Sequence, residues 1–179
     1  MQEAIMRGGA VRLTRYWHWT VVGLAAAVVL VVTSAYAQES PTACTLLQPA
    51  ELESALGGKA GEFSAVGGGQ AEICNGQVGT FKVIIRTAKR TRDDDGAVER
   101  KGIEVARKMG MLVEGKIDGD MTCSTLVPPP SLAEMGFTTG CSILRNGSVV
   151  AVEVTARSQK EMVSIDAVGK LVQEAVTRF

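Results

Sequence analysis

Hydrophobic residues are spaced along this chain in three rhythms, and each predicts something different. From Val21 to Val32 the run of Val, Ala, Leu and one Gly is unbroken and uncharged. From Thr80 to Thr87, Phe81, Val83 and Ile85 alternate with Lys82, Ile84 and Arg86, the period-two pattern of a strand with one strongly apolar face. Near the end, Met162, Ile165, Val168, Leu171, Val172, Ala175, Val176 and Phe179 recur at helical spacing opposite Asp166, Lys170, Gln173 and Glu174. That spacing predicts an amphipathic helix of about four turns docked on a sheet.

Turn and cap residues punctuate the rest. Pro49 suits a first helical turn, Glu51 and Glu53 suit its positive end, and Gly57-Gly58 stops it, so residues 49–56 read as a short capped helix. Asp93, Asp94 and Asp95 crowd the start of a second helical pattern, with Ala97, Val98, Ile103, Val105, Ala106 and Met109 on the buried side and Gly110 closing it. Cys141 to Arg145, Asn146-Gly147 and Ser148 to Thr155 form a hairpin, because Asn-Gly supplies the positive φ angles of a type I′ turn. Val150, Val152 and Val154 then face the core. Together these elements predict an α+β fold, an antiparallel sheet covered by helices in an α/β sandwich.

The unbroken run belongs to a different class of segment. Arg7, Arg12 and Arg15 precede it and Ala35-Tyr36-Ala37 follows, the parts of a cleavable secretory signal with small residues at Ala35 and Ala37. A bilayer span needs about 20 apolar residues. Counted from Trp17 to Ala37, the run is interrupted by His18, Thr20, Thr33, Ser34 and Tyr36. Residues 1–37 are therefore expected to be a signal peptide, and 38–179 a single disulfide-bonded domain in the periplasm or outside the cell. The alternative is an uncleaved membrane anchor with the same domain outside. No twin-arginine pair is present, and no cysteine stands at the cleavage point to carry a lipid.

Removing the leader changes the chemistry available. Without Arg7, Arg12, Arg15 and Glu3 the remaining 142 residues carry 16 basic and 18 acidic side chains. No field of one sign is left to attract nucleic acid, and the membrane is met only through the leader. His18, Trp17, Trp19, Tyr16 and Tyr36 all fall in the leader, so the domain has no imidazole and its only aromatics are Phe63, Phe81, Phe137 and Phe179. Histidine-dependent triads and histidine-ligated metals are excluded, and base-stacking platforms are not supplied. Nothing calls for a cofactor or a metal.

Cys44, Cys74, Cys123 and Cys141 are even in number and none stands in a C-x-x-C, so two structural disulfides are expected. Four cysteines allow three connectivities. The chain reads as two diverged halves offset by about 68 positions: each has a cysteine, a Leu-Pro corner ("CTLLQP", "CSTLVPP"), a second cysteine, a β-branched strand ("KVIIRTAKR", "VAVEVTARS") and a helix. Asn75-Gly76 and Asn146-Gly147 fall out of register, and the helix after Pro49 has only a weak counterpart at Ser131 to Met135. Such a duplication favours Cys44 with Cys74 and Cys123 with Cys141. A bridge closing about 30 residues contributes roughly 3 to 4 kcal/mol in the chain-entropy model.

Other stretches weigh toward plain roles. "GGGQ" at 67–70 and "GGK" at 57–59 lack the phosphate-loop spacing and read as a loop and a helix stop. "DDD" at 93–95 fits a helix N-terminus, "DGD" at 118–120 lacks the other ligands of a calcium loop, and Lys89, Arg90 and Arg92 read as a solvated corner. "NGS" at 146–148 is explained by its turn, and "PPP" at 128–130 by a stiff connector.

"CTLLQPAELESALGG", with Cys44, Leu46, Leu47, Glu51, Leu56 and Gly57, resembles the opening C-x-L-L-x-x-x-E-x-x-x-x-L-G of small exported bacterial domains and lipoproteins of uncertain function. Some of these resemble the extracellular sensor domain of actinobacterial receptor kinases. The resemblance implies a fold similar to Mog1/PsbP and an envelope location, and brings no catalytic residue with it. The chain departs from the pattern in lacking a lipid-attachment cysteine and in having Asn75 where an aromatic often follows the second cysteine.

Two functions are therefore expected in competition. One is a non-enzymatic, sensor-like binding domain for a small molecule, a glycan or another envelope protein. The other is a hydrolase working through paired carboxylates, with Asp93, Asp94, Asp95, Asp118, Asp120 or Glu134 as candidates. A cleft holding two carboxyls favours the second.

Overall fold

A computed structural model describes residues 42–90 and 97–179. The leader at 1–37 with Ala35 and Ala37, the "DDD" at 93–95, Arg92 and the buried-side assignments at Ala97 and Val98 lie outside what is described. Among the described residues, seven strands form one antiparallel sheet: β1 (Ser64–Gly68), β2 (Ala71–Val78), β3 (Phe81–Lys89), β4 (Leu112–Asp118), β5 (Met121–Val127), β6 (Phe137–Arg145) and β7 (Ser148–Ala156). Their order is β1-β2-β3-β7-β6-β5-β4. Two meanders thus meet at the β3–β7 seam. Helix α2 (Ala97–Lys108) lies on the connection from β3, in the middle, to β4 at the far edge.

Alternation decides which face is the core. On β3 and β7 the register pairs Val83 with Val154, Ile85 with Val152 and Thr87 with Val150, and these side chains are buried. Helix α3 (Ile165–Thr177) covers β5, β6 and β7 on this face. It buries Val168, Leu171, Val172 and Ala175 while Asp166, Lys170, Gln173 and Glu174 stay exposed. Each fully buried aliphatic side chain is worth roughly 1.5 to 3 kcal/mol. At the other end of the same face, a 3₁₀ turn (Ala43–Thr45) and helix α1 (Pro49–Leu56) bring Leu46, Leu47 and Leu52 into the cluster. The intervening strand positions, such as Lys82, Ile84 and Arg86, form a second face that neither α1 nor α3 covers.

Local chemistry accounts for the element ends. The Gln48 side chain and the Glu51 carboxylate form a reciprocal capping box around Pro49, and Gly57 takes the left-handed φ of 70° that ends α1. Asn146 and Gly147 have φ of 51° and 74°, the type I′ pair that joins β6 to β7. Ser164 caps α3 by accepting from the Ala167 N–H. At the far end of α3, Arg178 donates to both Glu51 carboxylate oxygens and, at 2.8 Å, to the Leu46 carbonyl, tying α1 to α3. That guanidinium, and then the Gln48 backbone N–H, hold the Glu51 carboxyl below the usual carboxylate range.

The disulfides join Cys44 to Cys74 and Cys123 to Cys141, the pairs favoured by the duplication. The first fastens the 3₁₀ turn to β2; the second crosses directly from β5 to β6 beneath α3. One spacing close to the expected offset of about 68 recurs in the fold. Strand β7 lies 67 positions after β3 at both ends, Phe81 to Ser148 and Lys89 to Ala156, and Cys141 follows Cys74 by the same step. The upstream parts differ. Cys44 sits in a 3₁₀ turn and Cys123 in a strand, and the counterpart of α1 around Ser131 to Met135 is a 3₁₀ segment (Pro130–Met135).

Two expectations need correction. "GGGQ" is not wholly loop: Gly67 and Gly68 belong to β1, and Gly69-Gln70 make the turn into β2. Val105 and Met109 are not buried by α2 but exposed at 50% and 45%, while Ala106 is buried. Strands β1, β2, β4 and β5 were not foreseen, because their apolar positions are broken by Gly, Asn, Thr and charged residues.

Candidate functional site

A cleft of about 730 Å³ opens on the second face of the sheet, at the end where β2 turns into β3. Its floor is made by alternate strand positions: Asn75 and Gln77 on β2, Lys82 on β3 and Thr155 on β7. These residues follow from the pleat. They are the neighbours of Cys74, Val78, Val83 and Val154, which turn the other way into the core. The 3₁₀ segment Pro130–Met135 supplies one wall, with Glu134 and Met135, and Glu62 and Arg157 stand at the rim.

The lining carries two carboxylates, one ammonium, one guanidinium, two amides and hydroxyls. Part of that capacity is used within the protein. The Gln77 amide donates to the Gly79 carbonyl at 2.8 Å, and the Thr155 and Thr138 hydroxyls share a 2.9 Å hydrogen bond. Glu62, Lys82, Glu134 and Arg157 are exposed, with their charged ends available to a ligand. No aromatic ring among the described residues lines the cleft. Opposite charges around an open, polar floor suit a small molecule with charged groups of both signs better than an apolar one.

Of the sequence candidates among the described residues, Glu134 alone is brought here; Asp93, Asp94 and Asp95 lie outside them. Asp118 and Asp120 lie at the β4–β5 turn, near the end of the sheet marked by Thr87 rather than Lys82. Among the described residues no three of His, Cys, Asp and Glu are grouped to hold a metal ion. The sequence reading passed over Glu62, Asn75, Gln77, Lys82 and Arg157. One signal for them was present: Asn75 and Gln77 alternate with Cys74 and Val78, as Lys82 does with Val83, so the polar side of a core strand was already marked.

A smaller groove of about 310 Å³ runs between the β4–β5 edge and the approach to α3, lined by Leu112, Glu114, Val127, Met162 and Ile165 among others. Among the described residues, no helix is long and apolar enough to cross a membrane. No family model matches the chain, and comparison with curated proteins finds no match.

Proposed function

We propose that this chain is an exported domain of the bacterial envelope, periplasmic or secreted, that binds a small polar ligand in the cleft over β2, β3 and β7 without transforming it. The carrying observation is that lining: Lys82 and Arg157 beside Glu62 and Glu134, above the amides of Asn75 and Gln77. Export is supported by the basic start, apolar run and Ala35-Tyr36-Ala37 of the leader, and by four cysteines engaged in two bridges. A leader that stays uncleaved would leave the same domain outside but anchored. The opening motif from Cys44 to Gly57 supports kinship with sensor-like exported domains, and the α/β sandwich belongs to that reading.

Calorimetric titration with free amino acids, dipeptides and neutral oligosaccharides tests the ligand class. Zwitterionic ligands should bind, and Arg157→Ala should weaken them about tenfold, the loss of one charge-assisted contact. Binding confined to neutral sugars and indifferent to Arg157→Ala would contradict the proposal. One observation favours a second reading, a carboxylate-dependent hydrolase: Glu62 and Glu134 share the cleft. A bound ligand recovered cleaved from the native protein, and intact from Glu134→Gln, would establish that reading in place of passive binding.

A further inference from the structure

We propose that the outer edge of β4 pairs with the same strand of a second copy of this chain, continuing the sheet across a two-fold axis at Gly115. β4 ends the strand order, and among the described residues it pairs only with β5. The edge is open: Gly115 and Lys116 are exposed, Ile117 is 77% exposed, and the preceding Leu112 is 68% exposed.

The direction of its backbone groups follows from the neighbouring strands. Cys123 and Cys141 are register partners with Cα atoms 4.0 Å apart. That is the close spacing of a non-hydrogen-bonded antiparallel pair, against about 5.5 Å for a bonded one. The Cys123 N–H and C=O therefore turn away from β6, toward Lys116 on β4. The two-residue turn Gly119-Asp120 gives the same phase, since it makes Asp118 and Met121 a bonded closing pair. Along β4, then, Leu112, Glu114, Lys116 and Asp118 bond inward to β5. Val113, Gly115 and Ile117 point their N–H and C=O groups outward.

The middle of this edge, "VEGKI" at 113–117, is complementary to itself when reversed. About Gly115, Val113 of one copy faces Ile117 of the other and Glu114 faces Lys116, each pair occurring twice. The three outward-bonding residues meet as hydrogen-bonded pairs. The two ion pairs fall at non-hydrogen-bonded positions, where facing side chains come closest. The two neighbouring registers are opposed by charge: an axis at Glu114 sets Glu114 against Glu114, and one at Lys116 sets Lys116 against Lys116. Charged residues on an edge strand usually deter pairing; here they favour the axis at Gly115 over the two next to it. Lys116 also reaches Asp166 at 3.5 Å, a contact that can give way because the Asp166 side chain is 80% exposed. The opposite edge, β1, lacks this symmetry, since "SAVGG" has no charge and ends in two glycines.

Sedimentation equilibrium of the protein as recovered from its cell should find a dimer. Glu114→Lys and Lys116→Glu each set like charges opposite one another and should raise the dissociation constant about tenfold. An equimolar mixture of these two variants should dimerise again, because every basic position then faces an acidic one. Gly115→Pro removes the central outward N–H without touching the β4–β5 ladder, and should give a folded monomer whose melting temperature no longer depends on protein concentration. Should that variant fail to fold, the mixing experiment still decides. A monomeric native protein, a dimer indifferent to both charge reversals, or pairing of this edge only with a different protein would each overturn the proposal.

Discussion

Glu51 accepts three hydrogen bonds: from the Gln48 backbone N–H at 2.8 Å and from two nitrogens of Arg178. All three favour the carboxylate, so its folded-state pKa lies below its unfolded value of ~4.3. A carboxyl shifted in that direction stabilises the fold above its unfolded pKa and loses the contribution as pH falls through the folded one. The wild type should therefore exceed Glu51→Gln in stability at neutral pH, and the two should converge below about pH 4. Urea denaturation at several pH values measures this. A gap that stays constant into acid would remove the assigned role. The side chains of Glu51 and Arg178 are 27% and 31% exposed, so salt should narrow the neutral-pH gap.

At the scale of elements, legibility followed cap chemistry and unbroken alternation. Helix α1 was readable to its last residue, because Pro49, Glu51 and Gly57 are cap chemistry that needs no tertiary partner. The β6–β7 hairpin was readable because Asn146-Gly147 separates β-branched runs, and the face bearing Val150, Val152 and Val154 followed directly. Strands β1 and β4, at the two edges, were not readable. An edge strand has little to bury, so Gly67, Gly68, Glu114 and Lys116 interrupt the alternation that would reveal it. The cleft was illegible for a related reason. Its floor residues are conspicuous only once β2, β3 and β7 are placed side by side, and its walls come from distant loops. The disulfides belong to this scale too. Replacing either pair by alanines should cost about 3 kcal/mol, lowering the melting temperature by roughly 10 °C. Thermal melts of Cys44→Ala/Cys74→Ala and of Cys123→Ala/Cys141→Ala check it; a melt that does not move would mean that bridge contributes nothing to stability.

The described part of the molecule places α1, α3 and both sulfur bridges on one face of the sheet and the polar cleft on the other. Such a division lets ligand chemistry vary on the second face while the first keeps the fold, which suits a binding domain working where thiols are oxidised. The central claim is that the folded part of this chain operates outside the cytosol with its four cysteines paired. Intact mass of the protein from fractionated cells, before and after reduction, tests it most directly. The account predicts an envelope or extracellular chain beginning at Gln38 that gains four hydrogens on reduction, two for each bridge. A cytosolic chain of unchanged mass after reduction, with all four thiols free, would contradict it.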